Sequence, residues 1–371
     1  MTIRHFLIFS IAIFFIGCKN DKKLSSESDH EVADTTEIDP STTILFPGED
    51  HFKSIRQITF GGDNAEAYWS PDGTKLIFQS NYKEWGVECD QMFIMDINDS
   101  FEDSMPKIVS TGKGRTTCGY FMPDGKHVLY SSTHLADDNC PPVPPKSNEY
   151  VWPLYDSYDI FVADLDGNIV NQLTSGSGYN AEATVSPKGD KIIFTSTRTG
   201  DIELFTMNID GSDVKQITHN VGYDGGAFFS PDGSKIVFRA KHLDDQDEIE
   251  AYQDLLNRGL IKPNQMEIFV CNADGSDMKQ VTNLGGANWA PFFHPSGEKI
   301  IFSSNFESER GFPFHIYMVD LDGSNLTRVT NSNTFDSFPM FSPDGKYLVF
   351  SSNRNNGGGR DTNIFIAEWQ E

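Results

Sequence analysis

The stretch Ser70-Pro71-Asp72-Gly73 is the first of six related turn sequences along the chain. In each copy a proline sets φ for a turn, a polar residue follows, and a glycine supplies the positive φ that closes the turn. The other five copies are Met122-Pro123-Asp124-Gly125, Ser186-Pro187-Lys188-Gly189, Ser230-Pro231-Asp232-Gly233, His294-Pro295-Ser296-Gly297 and Ser342-Pro343-Asp344-Gly345. The recurrence predicts six hairpins, one in each copy of a larger repeat.

The residues around these turns keep one register. Seven positions after each proline stands an aromatic residue: Phe78, Tyr130, Phe194, Phe238, Phe302 and Phe350. Two positions before each proline is a bulky apolar residue: Trp69, Phe121, Val185, Phe229, Phe293 and Phe341. A third strand is marked by Phe93, Phe161, Phe205, Phe269, Tyr317 and Phe365, and segments such as Gln216-Ile217-Thr218 mark a fourth. Large side chains in this register indicate neighbouring antiparallel strands that pack together.

Four-stranded units at this spacing are typical of a β-propeller. Successive turn prolines lie 44 to 64 residues apart, which is the period of propeller blades. The last copy stops after its third strand, at Ile364-Phe365-Ile366-Ala367, and a matching fourth strand stands near the start, at Arg56-Gln57-Ile58-Thr59. We therefore predict an all-β, six-bladed propeller over residues 44–371, closed by its N-terminal strand so that no sheet edge is left open. Because one chain closes the ring, we predict a monomer.

Three short patterns of the chain are similar to the repeat of the TolB-type propellers. They are the Ser-Pro-Asp-Gly turn, the Phe-x-Ser strand end, as in Phe78-Gln79-Ser80, and the Asp-Gly turn after the third strand, as in Asp210-Gly211. The resemblance covers about residues 44 to 371. TolB has an additional N-terminal α/β domain, where this chain has a polar stretch. The resemblance therefore implies the fold, and it leaves open any part in the Tol–Pal envelope machinery.

The N-terminus has the features of an export signal. Phe6 to Ile16 is almost wholly apolar after Arg4 and His5, and it is too short to span a bilayer comfortably. It ends at Phe15-Ile16-Gly17-Cys18, which resembles the lipobox of bacterial lipoproteins. That resemblance implies a signal peptide over residues 1–17 and a lipid on Cys18, which would hold the chain at a membrane of the cell envelope, in the periplasm or at the outer membrane. An ordinary secretory signal followed by an incidental cysteine is the alternative.

Composition and charge narrow the classes of partner. Residues 18–43 are polar and rich in Ser, Asp, Glu and Thr, which predicts a flexible tether. The whole chain has 29 Lys and Arg against 54 Asp and Glu, a formal charge of −25. Because binding to nucleic acid needs clustered basic side chains, this balance argues against a nucleic-acid partner.

The loops predict which face of the propeller is functional. In up-and-down blades, the first-to-second and third-to-fourth connections share one face, and here that face carries the tight turns. The opposite face carries long insertions at residues 133–157 and 241–265. In the second insertion Ile249, Tyr252 and Leu256 have helical spacing. Since function concentrates on loops that a rigid scaffold holds, we predict that this insertion-bearing face binds the partner, a protein, peptide or glycan.

Polar residues at fixed repeat positions are the candidate ligand-binding residues. Seven before each proline the residues are short and polar: Asn64, Thr116, Asn180, Asp224, Asn288 and Asp336. They either face a ligand or cap the backbone. Eleven after each proline stand Tyr82, His134, Arg198, His242, Phe306 and Arg354, of which the Arg and His side chains either receive an anion or are solvated loop charges. Glu66 and Glu182, five before a proline, and Arg115 complete the candidates; the glutamates would bind a cation or pair with an arginine.

The cysteines predict one disulfide. Cys89, Cys118 and Cys140 all map to the insertion-bearing face between the first two repeats, and an exported protein favours disulfides. The sequence leaves open which two of the three pair, and a soft-metal site from all three is the less favoured alternative. Cys271 aligns with apolar residues of the other repeats, which predicts a core position.

The chain shows few signs of catalysis. It contains no Gly-x-Ser-x-Gly and no His-Glu-x-x-His sequence, so no catalytic residue and no cofactor is predicted. The interpretation is a lipid-anchored, non-catalytic binding or scaffold module. The alternative is a metal-dependent lyase or hydrolase with its site at the channel mouth, for which the shared register of His134 and His242 is the only hint; whether a metal binds stays open.

Overall fold

The structure, a computed structural model, describes residues 43–102, 104–144, 149–176, 178–309 and 311–371. The predicted signal peptide, Cys18 and all of the predicted tether except residue 43 lie outside the described residues. Within those ranges, none of the helices has the length and apolar character needed to cross a membrane.

Six four-stranded antiparallel sheets make up the fold. In chain order the strands are β1 (Phe52–Gln57), β2 (Asn64–Trp69), β3 (Lys75–Ser80), β4 (Gln91–Asp96), β5 (Lys107–Ile108), β6 (Thr116–Phe121), β7 (His127–Ser132), β8 (Trp152–Pro153), β9 (Asp159–Asp164), β10 (Ile169–Gln172), β11 (Asn180–Val185), β12 (Lys191–Ser196), β13 (Glu203–Asn208), β14 (Lys215–Gln216), β15 (Gly222–Phe229), β16 (Lys235–His242), β17 (Leu260–Ile261), β18 (Glu267–Asn272), β19 (Lys279–Gln280), β20 (Asn288–Phe293), β21 (Lys299–Ser304), β22 (His315–Asp320), β23 (Thr327–Arg328), β24 (Asp336–Phe341), β25 (Tyr347–Ser352) and β26 (Asn363–Trp369). The blades are β2-β3-β4-β5, β6-β7-β9-β10, β11-β12-β13-β14, β15-β16-β18-β19, β20-β21-β22-β23 and β24-β25-β26-β1. The predicted six-bladed propeller is confirmed.

The N-terminal strand closes the ring, as predicted. Strand β1 pairs antiparallel with β26, from Phe52 opposite Trp369 to Gln57 opposite Phe365. One residue beyond β1, the amide of Ile58 still donates to the carbonyl of Ile364 at 2.9 Å. The strand starts four residues earlier than the sequence indicated, and blade 6 is therefore built from both ends of the described chain.

The aromatic residues predicted on the second and third strands form directly opposed pairs in all six blades. The pairs are Phe78 with Phe93, Tyr130 with Phe161, Phe194 with Phe205, Phe238 with Phe269, Phe302 with Tyr317 and Phe350 with Phe365. These rings are buried, and burying one large apolar side chain stabilises a fold by roughly 1.5–3 kcal/mol. The repeated pair is therefore the centre of the core of each blade.

A backbone irregularity shared by all six innermost strands shapes the channel. The residue five positions before each turn proline has positive φ: Glu66 (53°), Cys118 (53°), Glu182 (56°), Gly226 (61°), Ala290 (47°) and Phe338 (56°). The register with the second strand shifts at the same place in every blade, which identifies a β-bulge. Five of these residues are not glycine, and the left-handed conformation costs such a residue about 1–2 kcal/mol. All six line one small central cavity.

The two long insertions contact each other. Strand β8 of the blade 2 insertion pairs with β17 of the blade 4 insertion, with Ile261 opposite Trp152. Between β16 and β17, helix α1 (Gln246–Asn257) has the helical spacing that the sequence predicted. Its N-cap Asp245 accepts a hydrogen bond from the amide of Glu248 at 3.0 Å. The two insertions therefore form one structure, which the sequence did not indicate.

Candidate functional site

The polar residues seven before each proline lie buried and bonded. The side-chain amide nitrogen of Asn64 donates to the backbone carbonyls of Gly61 and Thr362 at 2.9 and 3.1 Å. Asn288 donates to the carbonyl of Met266 at 2.7 Å, and its own oxygen accepts from Ser304 at 2.6 Å. Asn180 is bonded in the same way, and Thr116 donates to the carbonyl of Asp90. Asn64, Thr116, Asn180 and Asn288 therefore bond to the backbone, and contact of this set of residues with a ligand stays a prediction.

Arg354 and Asp336 belong to a buried ion-pair cluster. The guanidinium of Arg354 contacts Asp336 at 3.0 Å and Glu49 at 2.9 Å, and all three side chains are fully buried. Ser352 donates to the same aspartate at 2.6 Å. An arginine enclosed in this way presents no donor to an anion from solution.

His134, Arg198 and His242, the other basic residues eleven after a proline, contact residues of their own blades. His134 lies 4.5 Å from the ring of Phe161, and His242 lies 4.7 Å from Phe269. The guanidinium carbon of Arg198 lies 4.9 Å above Phe194, and that arginine donates to the oxygen of Asn180 at 2.9 Å. These side chains cap the aromatic pairs, and the structure does not bring them together into one anion site.

His134 and His242 each have a polar partner. His134 Nδ1 lies 2.8 Å from the hydroxyl of Ser132, and His242 Nε2 lies 2.9 Å from Asp224. Burial raises the pKa of the Asp224 carboxyl, and the hydrogen bond from His242 partly offsets that rise. Arg115, the remaining basic candidate, pairs with Asp90 at 3.0 Å. In the described parts of the chain, no three His, Cys, Asp or Glu residues are grouped so that they could hold a metal ion.

The structure pairs Cys89 with Cys140 and leaves Cys118 and Cys271 as thiols. The disulfide joins the loop before β4 to the blade 2 insertion. Cys271 is buried in the core of blade 4. Cys118 instead lies in the channel, at the bulge position of β6.

Charged residues meet in the channel at the level of the bulges. Glu182 forms an ion pair with Arg239 of β16, and it also accepts from Thr195 at 2.7 Å and from the amide of Gly226 at 2.9 Å. Tyr223 accepts from Arg239 at 2.7 Å. The sequence pattern indicated that Glu182 would pair with an arginine, but it gave no sign of Arg239. The cavity between these groups, about 30 Å³, is large enough to hold a water molecule.

Glu66 and Cys118 complete this channel layer. Burial raises the pKa of Glu66 to about 7; the hydrogen bond with Cys118 opposes the rise and the nearby charge of Glu182 adds to it. Burial, together with the same two carboxylates, holds the pKa of the Cys118 thiol well above its usual value. Because the thiolate is the reactive form of cysteine, Cys118 is held in its unreactive state.

Four aromatic rings separate this layer from the tight-turn face. Tyr68 lies 5.8 Å from Tyr120 and 5.5 Å from Phe228, and Phe228 lies 5.3 Å from Phe292. Offset and edge-to-face contacts at such distances stabilise an aromatic cluster. The rings form a floor across the channel.

Beyond this floor, the tight-turn face opens into an apolar funnel of about 390 Å³. All six blades contribute to its wall through the turn prolines and the residues before them: Pro71, Pro123, Pro187, Pro231, Pro295 and Pro343. Trp69 Nε1 donates to the carbonyl of Met340 at 3.1 Å, which joins the wall of blade 1 to that of blade 6. The sequence identified the six turns whose prolines line this funnel. It did not show that these turns meet around one cavity.

Charged residues follow five of the six prolines of the funnel wall, with Lys188 in the turn of blade 3. An aspartate follows the proline in four of the six turns: Asp72, Asp124, Asp232 and Asp344. The hydrogen bond from Ser230, with those from Ser234, lowers the pKa of Asp232 to about 2. Hydrogen bonds from Lys346 and Ser342 lower the pKa of Asp344 to about 2 as well. These carboxylates are therefore ionised at neutral pH.

Solved structures of TolB proteins are similar to this chain in fold. The chain resembles the structure described as TolB from Agrobacterium tumefaciens (19% identity, TM-score 0.51, covering 84% of this chain and 91% of that one). It also resembles TolB from Acinetobacter baumannii at the same identity, TM-score and coverage, but it spans only 65% of that protein's length. At this identity the likeness shows the fold alone.

The sequence comparisons give the family. No curated protein matches the sequence significantly. The family model for the TolB beta propeller domain matches residues 141–261 and 259–367, which together make up more than half of the chain. The chain therefore belongs to the TolB beta propeller domain family.

Proposed function

We propose that the chain is a non-catalytic binding module of the cell envelope, anchored through a lipid on Cys18, whose funnel captures a peptide segment of a partner protein. The observation that carries this proposal is the funnel itself. Its volume, about 390 Å³, lies within the range of about 300–1,000 Å³ for ligand pockets. Because strand ends and proline turns build it, little conformational entropy is lost when a ligand enters.

The electrostatics favour a particular kind of peptide. The walls, with Phe121, Phe292 and Met340, suit an apolar side chain. The ionised aspartates of the turns beside the funnel suit lysine or arginine on either side of that residue. The chain as a whole has a formal net charge of −25, which attracts basic partners over a longer range. We therefore expect an apolar anchor residue flanked by basic residues.

The insertion-bearing face is the less supported surface for a protein partner. Arg354, Asp336 and Asn288, proposed from the sequence as ligand-binding residues on that face, are buried and bonded within the fold. The tight-turn face offers the funnel, an apolar cavity whose wall all six blades share.

Selection from a random peptide library displayed on phage tests the proposal. The full chain should select peptides with an apolar residue flanked by Lys or Arg. A Met340→Lys variant, which places a charge in the funnel wall, should bind the selected peptide at least tenfold more weakly. The matched control is Arg198→Ala on the opposite face, which should change the Kd by less than twofold. Equal affinity for wild type and Met340→Lys would contradict the funnel as the binding site.

The alternative function, a metal-dependent lyase or hydrolase, rests on the pair His242 and Asp224. A histidine oriented by a buried carboxylate is an arrangement that general bases and metal ligands share. Metal analysis of the purified chain separates the two functions. Stoichiometric transition metal that is lost on His242→Ala would favour the enzyme.

A further inference from the structure

A cleft of about 590 Å³ opens on the insertion-bearing face between the loops of blades 5 and 6. One wall is aromatic: the Phe312 side chain is 57% exposed, and its ring stacks on Phe335 with centroids 6.0 Å apart and planes 20° apart. The facing wall is polar and comes from the loop between β25 and β26. The cleft thus combines one flat apolar surface with groups that form hydrogen bonds.

The aromatic wall is held in place from behind. Phe335 contacts Phe314 at 5.5 Å and Phe338 at 6.2 Å. Phe314 in turn stacks on Trp289 at 4.5 Å. The exposed ring of Phe312 therefore lies on a fixed stack of rings, so that a ligand meets a preformed platform.

The polar wall is also ordered, and it leaves donors free. Asn353 donates to the carbonyl of Arg360 at 2.7 Å, and Asn356 donates to that of Gly359 at 2.9 Å, which fixes the loop. The Arg360 guanidinium and the Asn333 amide line the cleft without a hydrogen bond to any residue that the structure describes. The carboxylate of Asp63 lies at the same cleft and accepts no hydrogen bond within the described ranges.

We propose that this cleft binds a glycan. A pyranose ring has an apolar C–H face, which stacks on an aromatic ring, and an edge of adjacent hydroxyls. Planar amide, guanidinium and carboxylate groups match such hydroxyls with paired hydrogen bonds. A peptide that binds by strand addition would need an open strand edge, and no residue that lines this cleft belongs to one of the strands. The proposal concerns the face opposite to the funnel and does not depend on the peptide function.

The test uses the full chain, purified in detergent, on a printed array of neutral, amino and uronic oligosaccharides, followed by calorimetry with the strongest array sugar. The wild-type chain should bind at least one class of array sugar. Phe312→Ala should weaken binding of that sugar at least tenfold, Phe312→Trp should retain it, and Arg360→Ala should weaken it severalfold. Because Phe312 is largely exposed, Phe312→Ala should keep the wild-type Tm.

Two control variants separate the cleft from other surfaces. Tyr150→Ala removes another exposed aromatic ring, and Met340→Lys alters the funnel; both should bind the sugar within twofold of wild type. Absence of binding to every sugar on the array, or unchanged affinity of a folded Phe312→Ala, would overturn the proposal. So would a displayed peptide whose binding depends on Phe312.

Discussion

Arg354 and Glu49 form a fully buried ion pair between residues that lie 305 positions apart in the chain. The two terminal guanidinium nitrogens of Arg354 donate to the two carboxylate oxygens of Glu49 at 3.0 and 2.9 Å. Glu49 also accepts from the amide of Asn331 at 3.0 Å. The pair joins the segment that precedes β1 to the loops of blade 6, at the place where the ring closes.

Arg354→Ala should destabilise the propeller strongly, because it leaves the carboxylates of Glu49 and Asp336 buried without a counter-charge. Removing one member of a buried ion pair costs about 3–5 kcal/mol. Urea unfolding followed by circular dichroism measures this loss. The matched control is Arg198→Ala, an exposed arginine at the same repeat position, for which about 1 kcal/mol or less is expected. Similar losses for the two variants would show that Arg354 is not part of a closing contact.

Phe52→Ala should loosen the closing strand. The ring of Phe52 is buried, stacks on Phe350 at 5.7 Å and contacts Trp369 at 6.1 Å. Truncation of a buried phenylalanine costs about 3–5 kcal/mol. Hydrogen exchange should then show faster exchange of the amides in β1 and β26 than in β12 and β13. Ser54→Ala, at an exposed position of the same strand, should leave the exchange of all four strands unchanged; slow exchange of β1 in Phe52→Ala would argue against closure through this ring.

The double variant Cys89→Ala, Cys140→Ala should lower the free energy of unfolding by about 2–4 kcal/mol, because the disulfide closes a loop with a sequence separation of 51. Thermal unfolding of the variant and of reduced wild type should agree, since both lack the cross-link. Cys118→Ala keeps the disulfide and should still respond to reductant. If reductant left the Tm of wild type unchanged, the bond would not contribute to stability.

Cys18→Ser should release the chain from the membrane fraction. The prediction follows from the resemblance of residues 15–18 to a lipobox and from the marginal membrane binding of a chain that lacks its lipid. Fractionation of cells that express wild type and variant, with metabolic labelling by a fatty acid, measures it. Membrane retention of the variant equal to that of wild type would refute the lipid anchor.

The parts of the fold that the sequence predicted depend on local chemistry. Proline, aspartate and glycine specify a turn wherever they occur together, and the opposed aromatic pairs, such as Phe194 and Phe205, follow from the strand register on each side of that turn. The repeat therefore predicted blade number, strand order and closure.

The contacts of single residues depend on neighbours that a repeat alignment does not contain. In the sequence, Arg354 stands at a loop position that a solvated charge could occupy. Its partner Glu49 lies outside the repeat, so the repeat alignment does not show the ion pair. Ala290 and Phe338 give no sign of their positive φ, since neither residue type favours it, and only Gly226 among the six bulge positions does. Arg239 shares its channel layer with Glu182, 57 residues away in the preceding blade. Sequence spacing predicted where candidate residues stand along the strands, but not which groups meet in the channel.

Glu66 should make the stability of the propeller depend on pH. Its pKa in the folded state is about 7, because burial disfavours the charged form, against about 4.5 in the unfolded chain. The folded state therefore holds a proton that the unfolded state has lost between these two values, and the free energy of unfolding falls as pH rises through this window. The difference between these two pKa values corresponds to at most about 3–4 kcal/mol. Glu66→Gln, which carries no charge at any pH, should match wild type near pH 4 and exceed it in stability above pH 7. Urea unfolding of both proteins at half-unit steps from pH 4 to 8 measures the difference, and a difference that stays constant over this range would show that Glu66 ionises in the folded channel as readily as in water.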